Sequence, residues 1–382
     1  MMEIEVEEMD DKKRMGGGRL EEEGIVFAVP KKIFYNTAMR FCRSISSLAV
    51  GAIEEPLEVV DAFCASGIRG IRYAKENKNV NKLTFIDIEK TAITAAKKNA
   101  KANKVKAKVS ADARNISLAA FDNDADFLEI DPFGTPSPYL ADAMRFFNSR
   151  KVAYLSVTAT DVAVLCGGKL AASMKNYQAK PLNCSFTHEI GLRIMLRRIV
   201  DVAAEFNMGI EPLISFSDQH YLKAILKMRR GAQEAFDCQS QAGFISFCKK
   251  CAWRAASKFP VQKCGSCGAE TDWAGPLWLG ELHDKCFVTL MRSINNQRGY
   301  ADKVKLSNFL SLMEGEVGMP PYYYNIHELC KIHHIQPVPR FDDYIKALTA
   351  LGFTARRTHF SPICIKTDAP FRSVLEALGW KG

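Results

Sequence analysis

The stretch Ala125-Asp-Phe-Leu-Glu-Ile-Asp-Pro-Phe-Gly-Thr-Pro-Ser-Pro-Tyr139 decides how the rest of the chain is read. Its first six residues, Ala125 to Ile130, have the apolar, β-compatible character of a buried strand. The strand must stop at Asp131-Pro132-Phe133-Gly134, because Pro132, Pro136 and Pro138 forbid helix or ladder there. An acid, a ring-locked turn and an aromatic side chain thus stand at the carboxyl end of a strand. Ligands bind along that edge in open α/β sheets. A second reading, in which Asp131 only caps a helix beginning near Pro138, has equal weight until the preceding sequence is considered.

Upstream, Leu57 to Ala62 reads as a strand, Phe63 to Gly70 as a glycine-bearing turn, and Ile71 to Lys78 as a helix. This is how a nucleotide-binding α/β domain begins, with Gly67 letting the backbone approach a ligand at a helix N-terminus. The next strand, Lys82 to Asp87, ends in an acid 20 residues beyond Gly67, where a carboxylate can accept from ribose hydroxyls. A third strand, Lys106 to Ala111, ends at Asp112, and a fifth, Val152 to Val157, runs into Asp161. Four successive strands therefore lead into acidic loops on one edge: Asp87, Asp112, Asp131 and Asp161. Four unrelated caps would also give this pattern, but one site along one edge is the simpler reading. With no third glycine to approach a pyrophosphate, the loops suit S-adenosylmethionine better than a nicotinamide dinucleotide. The strands Ile210–Phe216 and Tyr221–Met228, joined by a short loop, would close the sheet as an antiparallel hairpin near residue 230.

The 382 residues predict two to three domains, and 47% hydrophobic content fits a soluble globular chain. No stretch approaches the roughly 20 apolar residues of a membrane span. Together with an acidic N-terminus unlike a signal peptide, this points to a cytoplasmic protein without a membrane partner. Residues 1–23 hold nine acids and four bases and too little apolar surface to pack, so they are expected to form a mobile tail, with order beginning at Gly24. The net charge of +9 thus becomes +14 for the remainder, which suits a polyanion such as nucleic acid. Arg193, Arg197 and Arg198 form a basic helix face, solvated or RNA-facing, and Arg340, Arg356, Arg357 and Lys366 are further candidates for phosphate.

Beyond residue 235, Cys248-Lys-Lys-Cys251 and Cys264-Gly-Ser-Cys267 stand twelve residues apart, the spacing of a four-thiolate zinc ribbon. Four protein ligands leave no open position for water, so the metal is expected to be structural. The other eight cysteines read as buried apolar thiols. Helical segments near 284–297, 303–314, 326–334, 341–351 and 370–379 and a strand at 363–366 complete a small α+β module, wing-like in outline.

These residues together resemble one family, the tRNA (guanine-N2-)-dimethyltransferases that modify guanine 26. The likeness rests on Ile33-Phe-Tyr-Asn36, Asp61 with Ala65-Ser-Gly-Ile-Arg-Gly-Ile-Arg72, and Asp131-Pro-Phe-Gly-Thr-Pro136. Val157-Thr-Ala-Thr-Asp161, Leu165-Cys-Gly167, His188-Glu189, Gly275-Pro-Leu-Trp-Leu-Gly280 and Thr358-His-Phe-Ser-Pro362 extend it over about residues 25–370. There are departures: Thr37 replaces a frequent Pro, Cys42-Arg43-Ser44 replaces Asn-Arg-Asp, and Glu129 stands where a second Asp is common. The missing acid after Arg43 leaves that arginine without its usual neighbour.

The resemblance implies a Rossmann-like class I methyltransferase domain of α/β class over residues 24–235. A smaller α+β C-terminal domain, residues 236–382, would bind tRNA and carry the zinc ribbon at 248–267. It implies cofactor contacts from Arg43 and Arg69, a ribose contact from Asp87, and adenine contacts from Asp112 and Ala113. Asp131 would be catalytic, facing the target amine, with Phe34 or Phe133 stacking on the base. Zinc on Cys248, Cys251, Cys264 and Cys267 rests on spacing, because the family's cysteine pairs are not universal. S-adenosylmethionine is the implied cofactor and tRNA the implied partner; no obligate protein partner is implied. Three other readings stay open: a methyltransferase for another exocyclic amine such as adenine N6, a zinc-ribbon nucleic-acid-binding protein, and a nicotinamide dehydrogenase.

Overall fold

The computed structural model describes residues 18–122 and 124–380. A hairpin opens it, β1 (Gly18–Glu22) pairing antiparallel with β2 (Ile25–Val29). In β2 the alternation Ile25, Phe27, Val29 faces inward, as one buried sheet face requires. The expected tail is corrected here, since residues 18–22 are a strand; residues 1–17 lie outside the described residues. Glu22 anchors that strand. Its carboxylate, 3% exposed, accepts from Arg43 Nε at 2.8 Å, Arg72 Nη1 at 3.0 Å and the Tyr35 hydroxyl at 2.9 Å. Burial alone would raise its pKa, but the hydrogen bonds and charges of Arg43 and Arg72 overcome this and hold it at about 2.

The central sheet has seven strands: β3 (Leu57–Ala62), β4 (Val80–Ile86), β5 (Lys108–Asp112), β6 (Phe127–Ile130), β7 (Val152–Ala159), β8 (Met208–Asp218) and β9 (Tyr221–Arg230). Their spatial order is β5-β4-β3-β6-β7-β9-β8. The first five are parallel, whereas β9 runs antiparallel to β7 and β8 antiparallel to β9. Val59 to Ala62 and Phe127 to Ile130 are buried throughout, as expected for central strands covered on both faces. Among the helices, α1 (Arg40–Gly51) precedes β3, α2 (Ile68–Glu76) links β3 to β4, and α3 (Lys90–Ala102) links β4 to β5. Between β3 and β6 the strand order reverses, which makes their shared carboxyl end the topological switch point.

The three strands flanking the cysteine pairs, β10 (Ala242–Phe247), β11 (Arg254–Ser257) and β12 (Asp272–Trp278), form a small sheet with β10 in the middle. A further sheet, order β13-β15-β14, consists of β13 (Tyr324–Asn325), β14 (Ala355–Thr358) and β15 (Ser361–Thr367), with short helices beside it. The chain beyond the ribbon packs onto the first sheet layer. Val288, Met291, Leu306, Leu310 and Met313 share one apolar cluster with Phe41, Ile45 and Leu48 of α1. Each such side chain contributes about 1.5–3 kcal/mol of burial. Polar ties reinforce the join: Arg40 Nη2 reaches Asp302 at 2.9 Å, and Arg298 Nη2 donates to Asn77 at 2.6 Å. Among the described residues, no helix is long and apolar enough to cross a membrane.

Candidate active site

The turn after β3 is locally strained. Phe63, Ala65 and Gly67 all have left-handed backbones, with φ of +66°, +48° and +77°. For the two residues with a Cβ, such a conformation costs on the order of 1–3 kcal/mol each, and it persists where the surroundings enforce it. One enforcing contact is Asp87, which leaves β4 and accepts from the Ala65 amide at 3.0 Å and the Glu89 amide at 2.9 Å. At Gly67 a Cβ would lie 2.8 Å from that of Ala96, so this glycine's necessary close approach is to α3. Helix α2 begins directly after it, three residues earlier than the sequence suggested.

The sheet register brings the expected acids to one edge. Asp112, at the end of β5, pairs with Ile86, the residue before Asp87, and its carboxylate sits 3.1 Å from Arg114 Nε. Ala113 follows it in the open. Asp131 leaves β6 next to the end of β3, because Ile130 pairs with Ala62. Asp161 is different: it accepts from the Tyr177 hydroxyl at 2.7 Å, and Thr135 Oγ1 donates to the same hydroxyl at 2.9 Å. It therefore ties the Asp131 turn to the helix Leu170–Tyr177, and burial pushes its carboxyl upward.

Asp131 Oδ2 accepts from Arg69 Nη2, and this pair is the centre of the site. Arg69 is buried, with Nη1 3.4 Å from Ser46 Oγ and 3.7 Å from Cys42 Sγ on α1. Its Nε is 3.7 Å from Glu129 Oε1. Glu129 is fully buried in β6 and accepts from the Tyr73 hydroxyl at 2.7 Å and from Lys223 Nζ. Lys223, equally buried in β9, also donates to Thr158 Oγ1 at 2.9 Å. Burial opposes the charge on Glu129, but Lys223 and then Arg69 outweigh it and keep the carboxyl below its ordinary range. The Asp131 side chain is 22% exposed, so one face of it meets solvent. The helix after the turn takes no side-chain cap, which removes the reading of Asp131 as a cap.

Phe133, two residues beyond Asp131, is an exposed aromatic ring, and Phe34 from the N-terminal part of the chain meets it. Phe34 and Phe133 meet edge to face with centroids 4.9 Å apart, and Phe133 is 77% exposed. Such rings can stack on a nucleobase. Arg43 is turned to the other side, against Glu22, the Tyr35 ring and the Asn36 carbonyl at 3.2 Å. The acid missing after Arg43 in the sequence is thus supplied by β1.

Glu22, Tyr73 and Lys223 were not singled out from the sequence, and Asp61 and Glu129 were noted only in the family resemblance, with no role. A usable signal existed for Glu129, a lone charge inside the apolar strand Phe127–Ile130 that needs a partner. Several expected phosphate ligands are otherwise engaged. Arg193 is buried against Glu189 at 2.8 Å and donates to the Trp278 and Gly280 carbonyls. Arg198 Nε donates to Ser137 Oγ at 3.2 Å, Arg197 pairs with Asp201, and Arg357 pairs with Asp342 at 3.0 Å. Lys366 is buried 2.6 Å from Glu189. Cys286 is exposed, contrary to the expectation of a buried thiol.

The four ribbon cysteines converge. Cys248 and Cys267 sulfurs are 3.6 Å apart, Cys251 and Cys264 sulfurs 3.5 Å, and all four lie within 4.8 Å of one another. Disulfides would need about 2.05 Å, whereas a tetrahedral zinc with about 2.3 Å bonds spaces its sulfurs by roughly 3.8 Å. Amides of Ser266 and Cys267 point at Cys264 Sγ, from 3.3 and 3.4 Å. The donor set fits zinc. A second group with ligand atoms, His283, Glu316 and His359, already contains a cation, since Lys366 Nζ lies 3.5 Å from Glu316 Oε2.

Residues 16–379 match the family described as N2,N2-dimethylguanosine tRNA methyltransferase. A tRNA (guanine(26)-N(2))-dimethyltransferase of Thermococcus kodakarensis is 37% identical, with 91% of this chain and 93% of that protein covered. Its counterpart from Methanothermobacter thermautotrophicus is 35% identical over 91% and 92% of the two chains. Among solved structures, Trm1 from Pyrococcus horikoshii, in complex with S-adenosyl-L-methionine, superposes with a TM-score of 0.86 at 27% identity. That match covers 95% of this chain and all of the other.

Proposed function

The chain belongs to the N2,N2-dimethylguanosine tRNA methyltransferase family, and from that premise we propose that it transfers two methyl groups from S-adenosylmethionine to N2 of guanine 26 in tRNA. The observation that carries the chemistry is the Asp131 carboxylate, held by Arg69 at the switch point beside two exposed aromatic rings. When bound, the cofactor supplies an electrophilic methyl group on a positive sulfur; everything else falls to the chain.

The guanine N2 lone pair is delocalised into the ring, so the amine is a poor nucleophile. Asp131 Oδ2 is committed to Arg69, which leaves Oδ1 to accept an N–H of the amine. That hydrogen bond raises electron density on nitrogen, aims its lone pair, and gives the proton a destination as the N–C bond forms. The open face of Asp131 then lets the proton pass to water before the second transfer. Pro132 fixes the turn, and the Phe34–Phe133 pair supplies the stacking surface for a guanine turned out of the tRNA. The Phe133 ring, 77% exposed, leaves room for a base that already carries one methyl group.

Cofactor contacts are assigned to Arg43, Arg69, Asp87, Asp112 and Ala113. Asp87 keeps a lone pair on each oxygen for ribose after its two amide bonds. Arg43, engaged on two nitrogens by Glu22, acts as much by shaping the pocket wall as by contact. Residues 236–382 form the tRNA-binding part, with a structural zinc on Cys248, Cys251, Cys264 and Cys267, and the protein works in the cytoplasm. The test is transfer of labelled methyl groups into tRNA and not into DNA. Label in DNA adenine at a comparable rate would assign the site to another exocyclic amine.

A further inference from the structure

Three carboxylates, those of Asp61, Glu129 and Asp131, gather at the switch point around two cations, Arg69 and Lys223. Asp61 of β3 and Glu129 of β6 are register partners, and both are buried, at 2% and 0% exposed. Asp61 Oδ2 accepts from the Gly70 amide at 2.9 Å, which ties it to the cofactor turn. Buried charges are tolerated when they are matched, and here one negative charge is in excess. The other groups facing Asp61 do not supply the missing charge. Burial raises the Tyr73 hydroxyl and the Cys64 thiol, so both stay neutral, and Asp87 beside Cys64 adds to the negative side. The nearest further arginines are consumed elsewhere, Arg43 by Glu22 and Arg72 by Glu22 and Glu76.

We propose that this cluster is built one positive charge short and that the cofactor's sulfonium supplies it, so that the site prefers S-adenosylmethionine to its demethylated product and Asp61 carries a proton only while that charge is missing. The proposal rests on the cofactor reading above. Asp131 must meet the amine in line with the sulfur, which brings the sulfonium against this cluster. Burial first, and then Glu129, push the Asp61 carboxyl up to about 7. An arriving cation favours the carboxylate, so binding at neutral pH expels the proton. S-adenosylhomocysteine has a neutral thioether in place of the sulfonium and gives no such drive. Product release after each transfer is then favoured at the point where the chain must exchange it for a second cofactor.

Calorimetric titration of the full chain with S-adenosylmethionine and, separately, S-adenosylhomocysteine, in phosphate and in Tris at matched pH, reads this directly. At pH 7 the methylated cofactor should release about half a proton, and its affinity should rise about tenfold from pH 6 to pH 8. The product should do neither. Asp61→Asn keeps an oxygen for the Gly70 amide and should abolish the proton release and flatten the pH profile; should it fail to fold, the two-buffer measurement on the unaltered chain still decides. Binding of both ligands with the same pH profile and no proton release would overturn the proposal. Binding of neither ligand would instead overturn the cofactor reading, and the proposal would fall with it.

Discussion

Asp131→Asn is expected to slow single-turnover methylation by about 10²-fold or more, the usual scale for loss of a general base. Asparagine has the size of aspartate and can still accept the Arg69 hydrogen bond through its amide oxygen. It cannot take a proton from the amine. The melting temperature should therefore move little, because Arg69 keeps Glu129, Ser46 and Cys42 as neighbours. If Asp131 only completed the Arg69 ion pair, the pattern would be reversed: a lowered melting temperature with a rate near that of the unaltered protein. Saturating tRNA and cofactor in a single-turnover assay, with a thermal melt beside it, separates the two. A variant that forms monomethylguanine but not dimethylguanine would place the demand on Asp131 at the second, more crowded transfer.

The second large effect is expected from Cys264→Ser. Cys264 is buried and accepts two amide hydrogen bonds through its sulfur, so it is the ligand with the least freedom to be replaced. Structural zinc contributes about 10–16 kcal/mol of binding free energy to folding in small finger domains. The ribbon shares its apolar cluster with the body of the protein, Ile245, Phe247 and Ala274 lying in one core with Phe186 and Ile190. Phe186 and Phe247 meet edge to face at 5.6 Å. Loss of the metal should loosen β10–β12, lower the melting temperature and weaken tRNA binding at least tenfold. S-adenosylmethionine binding should persist, because its edge is built from β3 to β6. Elemental analysis should find about one zinc per chain before the substitution and none after it. Metal-free protein, freshly purified and never chelated, that still binds tRNA normally would contradict the ribbon.

The strands that build the site were legible because they are short β-compatible segments ended by acids. β3 was read at its observed bounds, and β4, β5, β6 and β7 to within two residues at either end. The placing of Asp131, Asp87 and Asp112 on one edge follows from that reading, whereas Phe34 and Phe133 rest on the family resemblance. What escaped it depends on partners distant in the chain. Glu22 lies in a segment whose composition cannot pack alone, yet Arg43 and Arg72, 21 and 50 residues away, draw it into the core. Lys366 looks like a phosphate ligand until tertiary packing brings Glu189 and Glu316 beside it, and Arg193 pairs one turn back with Glu189 while the distant Trp278 and Gly280 carbonyls bury it. Asp161 resembles its three fellow acids in sequence and differs only in having Tyr177 within reach. β11 has only four residues, and β12 carries Gly275 and Pro276 within it, residues that argue against a strand.

An unmodified tRNA transcript bearing guanine at position 26, incubated with the protein and S-adenosylmethionine and digested to nucleosides, should give N2,N2-dimethylguanosine by mass spectrometry. It should pass through N2-methylguanosine, and a transcript with adenine at that position should stay unmethylated there. Methylation of the adenine-26 transcript to the same extent, or a product methylated at a ring nitrogen in place of N2, would contradict the account.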